Sequence, residues 1–311
     1  MDPQKKIKIR ACHVLSGEVT YSPSVLLEAL QSVINSKPTI RDRKRQINDV
    51  DSEVISSFSW GPSRRYLFAT LVRIRRDDLR NPLSESVLDQ PSFSIRDLSD
   101  SHEGETYKDH FYFLTDGRYL VTNLSGTSSL TRITTYLNWI LTDVRGEVLY
   151  DLQPSVRPPD AVPLRDLKSV EIGRGGTSFS IQTGRSIFDL TSSLTSLLQY
   201  LPGIGDAQEV IDRGLIGAKL VLSFKSKPRD MDTETYQSLV GGLAALGNEE
   251  QGITVIDKKG RKYTGSDIAI IKEVSIEVVD EHSRLVDEEA LKQEMEGFLG
   301  RIPNIIEDTT T

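Results

Sequence analysis

Seven cations in two short segments are the residues best able to do chemistry in this chain. Lys225, Lys227 and Arg229 follow the apolar run at residues 220–222, and Lys258, Lys259, Arg261 and Lys262 surround Gly260 after the apolar run at residues 253–256. Cations at this density neutralise phosphate: each one brought to a nucleic-acid backbone releases condensed counterions, so affinity falls steeply with salt. Lysine-rich tips contact phosphates without naming bases. A two-stranded ribbon ending in such a tip has the geometry to meet a DNA groove or backbone. The competing reading of either run is a solvated face or a solubility-promoting hairpin tip.

The other chemistry the residues could support does not assemble. Cys12 and His13 are a nucleophile and a base, yet neighbours on a strand point to opposite faces, and a packed core cysteine is the expectation. His13, His102, His110 and His282 share no zinc-type spacing. Asp100, His102, Glu103, Glu105, Asp109 and His110 form the one cluster with ligand chemistry, read as an acidic solvated loop with hard-metal capture as the alternative. A metal-nuclease pattern fails: Pro159-Asp160 leads to Glu171, with Gly173 rather than lysine two residues later, and Asp257-Lys258-Lys259 lies far downstream. Gly173-Arg174-Gly175-Gly176 lacks the Lys-Ser/Thr of a phosphate-cradling loop. Residues 201–211, LPGIGDAQEVI, look like the turn of a helix-hairpin-helix, but Glu209 stands where a small residue lets the helices pack, and a Pro-Gly interhelical turn is preferred. No catalytic apparatus, metal or cofactor is therefore expected.

The elements that must position the cations read as follows. The chain has 311 residues, with 37% hydrophobic and 27% charged, which predicts a globular protein of two lobes. A single cysteine allows no intrachain disulfide and fits a reducing cytoplasm. There is no secretory h-region and no apolar run of membrane-spanning length, so neither secretion nor membrane insertion is expected. Formal net charge is −7, yet residues 1–80 hold fifteen Lys/Arg against nine Asp/Glu, a net of +6, leaving −13 for the rest. Screening over about 8 Å at physiological salt isolates a basic patch from distant carboxylates.

Period-two alternation predicts a strand over residues 6–15. Ser22 and Pro23 open a helix that Pro38 ends. The segment 41–45, RDRKR, reads as an exposed loop, and YLFATLVRI as a central strand. Residues 77–108 read mostly as loop. Asp116-Gly117 predicts a type I′ hairpin turn in residues 110–123, followed by a helix at 128–141. Four prolines in residues 153–163 mark a linker. Beyond it come a hairpin around 173–176, a helix at 187–201, a strand after Gly217, a helix at 233–246, the basic hairpin, a strand at 268–279 and a helix at 288–299.

The expected fold class is α+β: two lobes of mixed or antiparallel sheet, each packed with helices. The divisions are 1–155, a linker at 156–163, a second lobe at 164–282 with the basic hairpin, a helical segment at 283–307, and a disordered tail at 308–311.

Several short patterns resemble the RexA-like DNA-binding proteins of phage exclusion. They are SPSVLLEALQSVI followed by YLFATLVRI; YFLTDGRYLV followed by LTRITTYL; and LVLSFKSKPRD followed by ITVIDKKGRKYTG. The resemblance covers the layout of most of the chain. It implies a cytoplasmic homodimer of two lobes that binds double-stranded DNA with little sequence preference and acts through a membrane-channel partner to arrest an infected cell. DNA contact would fall on Lys225, Lys227 and Arg229, where a basic run follows a strand, and on Lys258, Lys259, Arg261 and Lys262. Two other expectations stand beside it: an accessory module that binds only proteins, and a metal-dependent nuclease using the carboxylates between Asp100 and His110.

Overall fold

The computed structural model describes residues 4–17, 22–75, 85–95, 106–124, 127–146, 148–159, 162, 164–172, 220–223, 236–241, 253–264, 267–280 and 285–307. The fold is α+β with antiparallel sheets, divided into two compact units. The first comprises Met1–Gln153 with Ile271–Pro303, and the second Pro154–Ile270 with Asn304–Thr311.

The first unit is built on β1 (Gln4–Ser16). Ile7 and Ile9 are buried and Lys8 between them is exposed, the alternation of a half-covered strand; from Arg10 to Cys12 every residue is buried. The sheet continues through β2 (Arg45–Gln46), β3 (Asp51–Trp60), β4 (Leu67–Arg75), β5 (Thr106–Thr115), β6 (Tyr119–Thr122) and β7 (Tyr150–Pro154). The second unit contributes β8 (Leu167–Ile172), β9 (Leu220–Ser223), β10 (Ile253–Asp257) and β11 (Lys262–Thr264), and the chain then returns to the first sheet in β12 (Ile271–Asp280) and β13 (Leu285–Val286). The order of the first sheet is β13-β12-β1-β6-β5-β4-β3-β2, with β7 also paired to β1.

Two long helices, α1 (Pro23–Ser36) and α2 (Thr127–Ile140), cover one face. Leu26, Leu30 and Val33 of α1 and Ile133, Tyr136 and Leu137 of α2 pack on Cys12, Ile55, Ala69, Leu71, Phe111 and Phe113. Thr70, between two residues of that core, points to the opposite face, where its hydroxyl donates to Glu288 Oε1 at 2.9 Å. Glu288 opens α3 (Glu288–Leu299), which the Asp287 carboxylate caps by accepting from the amides of Glu289 and Ala290.

Three sequence expectations are corrected here. The RDRKR segment is not wholly exposed: Arg43 is 1% exposed, its guanidinium donating to the carbonyls of Lys37, Pro38, Ile55 and Pro91. A planar fork can satisfy several carbonyls that irregular backbone leaves without partners. In the β5–β6 turn positive φ is confined to Gly117 (+89°). The two-residue connection is therefore Gly117-Arg118, one position later than the type I′ reading, and Asp116 caps it by accepting from the amides of Arg118 and Tyr119. Glycine is required at 117, because a Cβ there would lie 2.1 Å from the Pro23 carbonyl oxygen. Finally, β3, with the polar start DSE, lacks a clean alternation and was not foreseen.

That polar start forms a row of alternating charge. Arg45 pairs in register with Glu53, Glu53 with Arg73, and Arg73 with Asp109. Arg132 of α2 lies across the row, donating to Glu53 Oε1 at 2.6 Å and to both oxygens of Asp109 at 3.1 Å. Glu53 is fully buried, so losing a cationic partner would leave a buried carboxylate less well compensated.

The second unit has the sheet order β11-β10-β8-β9, every pair antiparallel. Its core gathers Val156, Val162, Leu167, Val170, Tyr236, Val240, Ile253, Val255 and Ile268. The Pro-rich segment is thus not a free linker. Ser155 and Val156 are buried, and the buried Gln237 side chain grips this stretch, its Oε1 accepting from the Val156 amide and its Nε2 donating to the Pro154 carbonyl. On its other side the stretch forms a short antiparallel bridge, with the Ile270 amide donating to the Ser155 carbonyl and the Arg157 amide to the Ile268 carbonyl. The boundary falls at Gln153, and the strand expected at 268–279 closes the first unit's sheet against β1 rather than belonging to the second lobe. The readings at 173–176, 187–201 and 201–211, and the tail at 308–311, lie outside the described residues.

Replacing Arg132 with alanine leaves Glu53 buried beside fewer cations. We expect a loss of about 3–5 kcal/mol in unfolding free energy, measured by chemical denaturation.

Candidate nucleic-acid interface

The basic hairpin is built around an acid. On β10, Ile253, Val255 and Asp257 point into the second unit, and Asp257 is 1% exposed. Its carboxylate accepts from the amides of Lys259 (2.9 Å) and Arg261 (2.8 Å), from Arg261 Nε (2.7 Å) and from the Tyr263 hydroxyl (3.2 Å). The Gly260 amide donates to the Asp257 carbonyl, and Gly260 has a φ of +80°, which glycine adopts without cost. The turn is pinned from behind by the Lys258 amide, which donates to the Asp166 carbonyl. Burial pushes the Asp257 carboxyl up, but the hydrogen bonds from Arg261, the Arg261 charge and the Tyr263 hydroxyl outweigh it and hold the group below the usual aspartate range.

Lys258, Lys259, Arg261 and Lys262 are all exposed at this tip, as the sequence predicts for a basic ribbon. They are not equivalent. The Arg261 guanidinium is bound to Asp257 and lies 5.8 Å from the centre of the Tyr263 ring, so its charge is partly spent inside the turn. The three lysines carry the outward charge.

Register brings the ends of β9 and β10 to one end of the sheet. Ile256 pairs with Lys262 on one side and Ser169 on the other, and Ser169 pairs with Ser223. β8 is antiparallel to both β9 and β10, so β9 and β10 run in the same direction and finish at the same end. Their separation is two strand spacings, about 10 Å. Lys225, Lys227 and Arg229 follow the end of β9 in sequence but lie outside the described residues. At the same end, Lys168 is exposed where the register shifts: Leu167 pairs with Asp257 and Ser169 with Ile256. Sequence reasoning missed Lys168 because a lone lysine on a strand carries no signal until its neighbours are known.

The alternative sites fare differently. Asp100, His102, Glu103 and Glu105 lie outside the described residues, while Asp109 is held bidentately by Arg132. Burial, aided by the Lys5 charge, pushes His110 down to about 4. Cys12 lies in the core, its thiol pushed up to about 12 by desolvation, and burial pushes His13 down to about 4. Among the described residues, no group of three His, Cys, Asp or Glu side chains is placed to hold a metal ion, and no helix is long and apolar enough to cross a membrane.

Because Asp257 is held below its ordinary range, the turn's carboxylate contribution is fully present above the unfolded aspartate range and is lost as pH falls through the depressed folded value. The amide resonances of Lys259 and Arg261 should therefore titrate together at a midpoint below the ordinary aspartate range, and Asp257→Asn should abolish that titration. A midpoint at or above that range would contradict the carboxylate-centred turn. A scan of protein-family models and a search of curated proteins return no match to the chain.

Proposed function

We propose that the chain is a non-enzymatic protein that binds double-stranded DNA with little sequence preference, through the sheet end of the second unit where β9 and β10 finish. The observation that carries this reading is the ladder Lys262–Ile256–Ser169–Ser223, which starts both basic segments from one edge of one sheet. Lys168, Lys258, Lys259 and Lys262 act as point charges against phosphates. Arg261 fixes the turn and adds a weaker contact. Lys225, Lys227 and Arg229 take the same role from their place two to six residues beyond Ser223.

A rigid tip that offers lysines and no base-reading fork explains why sequence would matter little. The resemblance to RexA-like proteins extends the reading to the sensor of a phage-exclusion system. In it the protein is a cytoplasmic homodimer without a cofactor, and a membrane-channel partner carries out the arrest. Dimerisation doubles the number of phosphates met and steepens the salt dependence.

Fluorescence-anisotropy titration of unrelated short duplexes across a salt series tests the reading. The expected result is similar affinity for each duplex with a steep slope. Lys168→Ala should lower that slope by about 1. Replacing Lys258, Lys259, Arg261 and Lys262 together by alanine should lower it by about 3 and weaken binding to all duplexes alike. Absence of binding at low salt would overturn the reading and leave a protein-only partner. Cleavage of the duplex on addition of Mg²⁺ or Mn²⁺ would overturn its non-enzymatic part.

A further inference from the structure

A second basic surface is present on the first unit. The β3–β4 connection, residues 61–66, and the β5–β6 connection, residues 116–118, are neighbours: Trp60 pairs with Leu67, Leu67 with Thr115, and Thr115 with Leu120. The two tips therefore share one end of the sheet, about two strand spacings or roughly 10 Å apart. They display Arg64, Arg65 and Arg118, all exposed, and among the described residues none of the three is in an ion pair. The acids at this end are committed locally. Asp116 accepts from the amides of Arg118 (2.9 Å) and Tyr119 (2.7 Å), and Glu289 pairs with Lys292 at 3.5 Å.

The first tip is fixed in a conformation that L residues avoid. Ser63 and Arg64 have φ of +52° and +57°, consecutive left-handed positions without glycine. Around them the Gly61 amide donates to the Tyr66 carbonyl and the Arg64 amide to the Gly61 carbonyl, both at 2.9 Å. A Cβ at Gly61 would stand 2.2 Å from the Tyr66 ring, so any side chain there would displace that ring. A turn chosen for stability would put glycine or asparagine at 63 and 64; this one keeps an arginine there.

We propose that Arg64, Arg65 and Arg118 form a second duplex-binding surface, contacting the phosphate backbone independently of the lysine tip. Guanidinium forks match phosphate oxygens two at a time, where lysine offers a point charge. The two surfaces thus differ in kind: both release counterions, the lysines as point charges and the arginines with phosphate oxygens held in fixed geometry. The ligand, though not the residues, rests on the duplex-binding reading above.

The test compares the full chain with two triple variants in the same anisotropy salt series. Changing Arg64, Arg65 and Arg118 together to glutamine removes the charge while keeping an unbranched polar side chain. It should lower the salt slope by about 2 to 3, since each phosphate contact contributes about 0.9. Changing them together to lysine should keep the slope while reducing affinity several-fold. A glutamine variant that binds like the unaltered chain overturns the proposal and leaves the lysine tip standing. An unaltered chain that binds no duplex overturns the functional reading itself. A glutamine variant that keeps duplex affinity but loses binding to phosphatidylserine-containing vesicles would assign the surface to an anionic membrane instead, and the proposal falls.

Discussion

The pairing of β1 with β6 on one side and β12 on the other is the constraint on which the architecture depends. Strands β2 to β6 pair as an antiparallel meander whose β6 edge is covered by β1. β12, arriving more than two hundred residues after β1, then covers the remaining edge from Gln4 to Arg10. Unpaired strand edges invite association with other chains, and here the two ends of the first unit's sequence close each other. The second unit is consequently an insertion: the chain leaves after β7, itself paired to β1, and returns in β12. Such long-range pairing carries a loop-closure cost before it is rewarded, which the alternation of Ile7 and Ile9 in β1 and of Val274 and Ile276 in β12 offsets by burial on both strands.

Buried polarity is treated alike in both units. Arg43 in the first and Gln237 in the second occupy places where irregular backbone would otherwise have no hydrogen-bond partner. Tyr136 plays the same part between α2 and the sheet, donating to the Arg43 carbonyl while accepting from the Ile55 amide. An unsatisfied buried group costs more than a satisfied one contributes, so each of these side chains matters chiefly for what would follow from its loss. The row Arg45–Glu53–Arg73–Asp109 with Arg132 extends the logic to charge. Alternating signs on successive strands give a buried carboxylate cationic partners within the sheet.

Charge placement makes an acidic chain compatible with a polyanion. Two of the turns that carry outward-facing cations are organised by an aspartate that spends its charge on backbone amides: Asp257 under the lysine tip and Asp116 under Arg118. An acid used in this way fixes a basic loop while contributing little repulsion beyond it, because its field is met at hydrogen-bond distance. Arg261 belongs to both systems, since it completes the turn and faces solvent.

Much of this was readable before any coordinates. Ile7 and Ile9 against Lys8 give β1; Ser22-Pro23 and Pro38 bracket α1; and the helix expected at 288–299 is α3, with the same bounds. The basic hairpin was legible because its cations cluster around a glycine. What local pattern could not reveal were features whose partners are distant. Arg43 looked like loop because its four carbonyl partners come from separate turns. Asp257 stands in sequence only as the acid of an Asp-x-Lys too far downstream for a nuclease pattern, with nothing local to mark it as the centre of a turn. The Pro-rich segment looked like a linker because the Gln237 that satisfies it lies about eighty residues away. By itself the sequence determined element types and the position of charge along the chain, since period and turn chemistry are local. Tertiary structure alone decided which strand ends coincide, and therefore that Lys168 joins the tip and that the segments after β9 and β10 start from one edge, because strand direction and register are properties of paired chains.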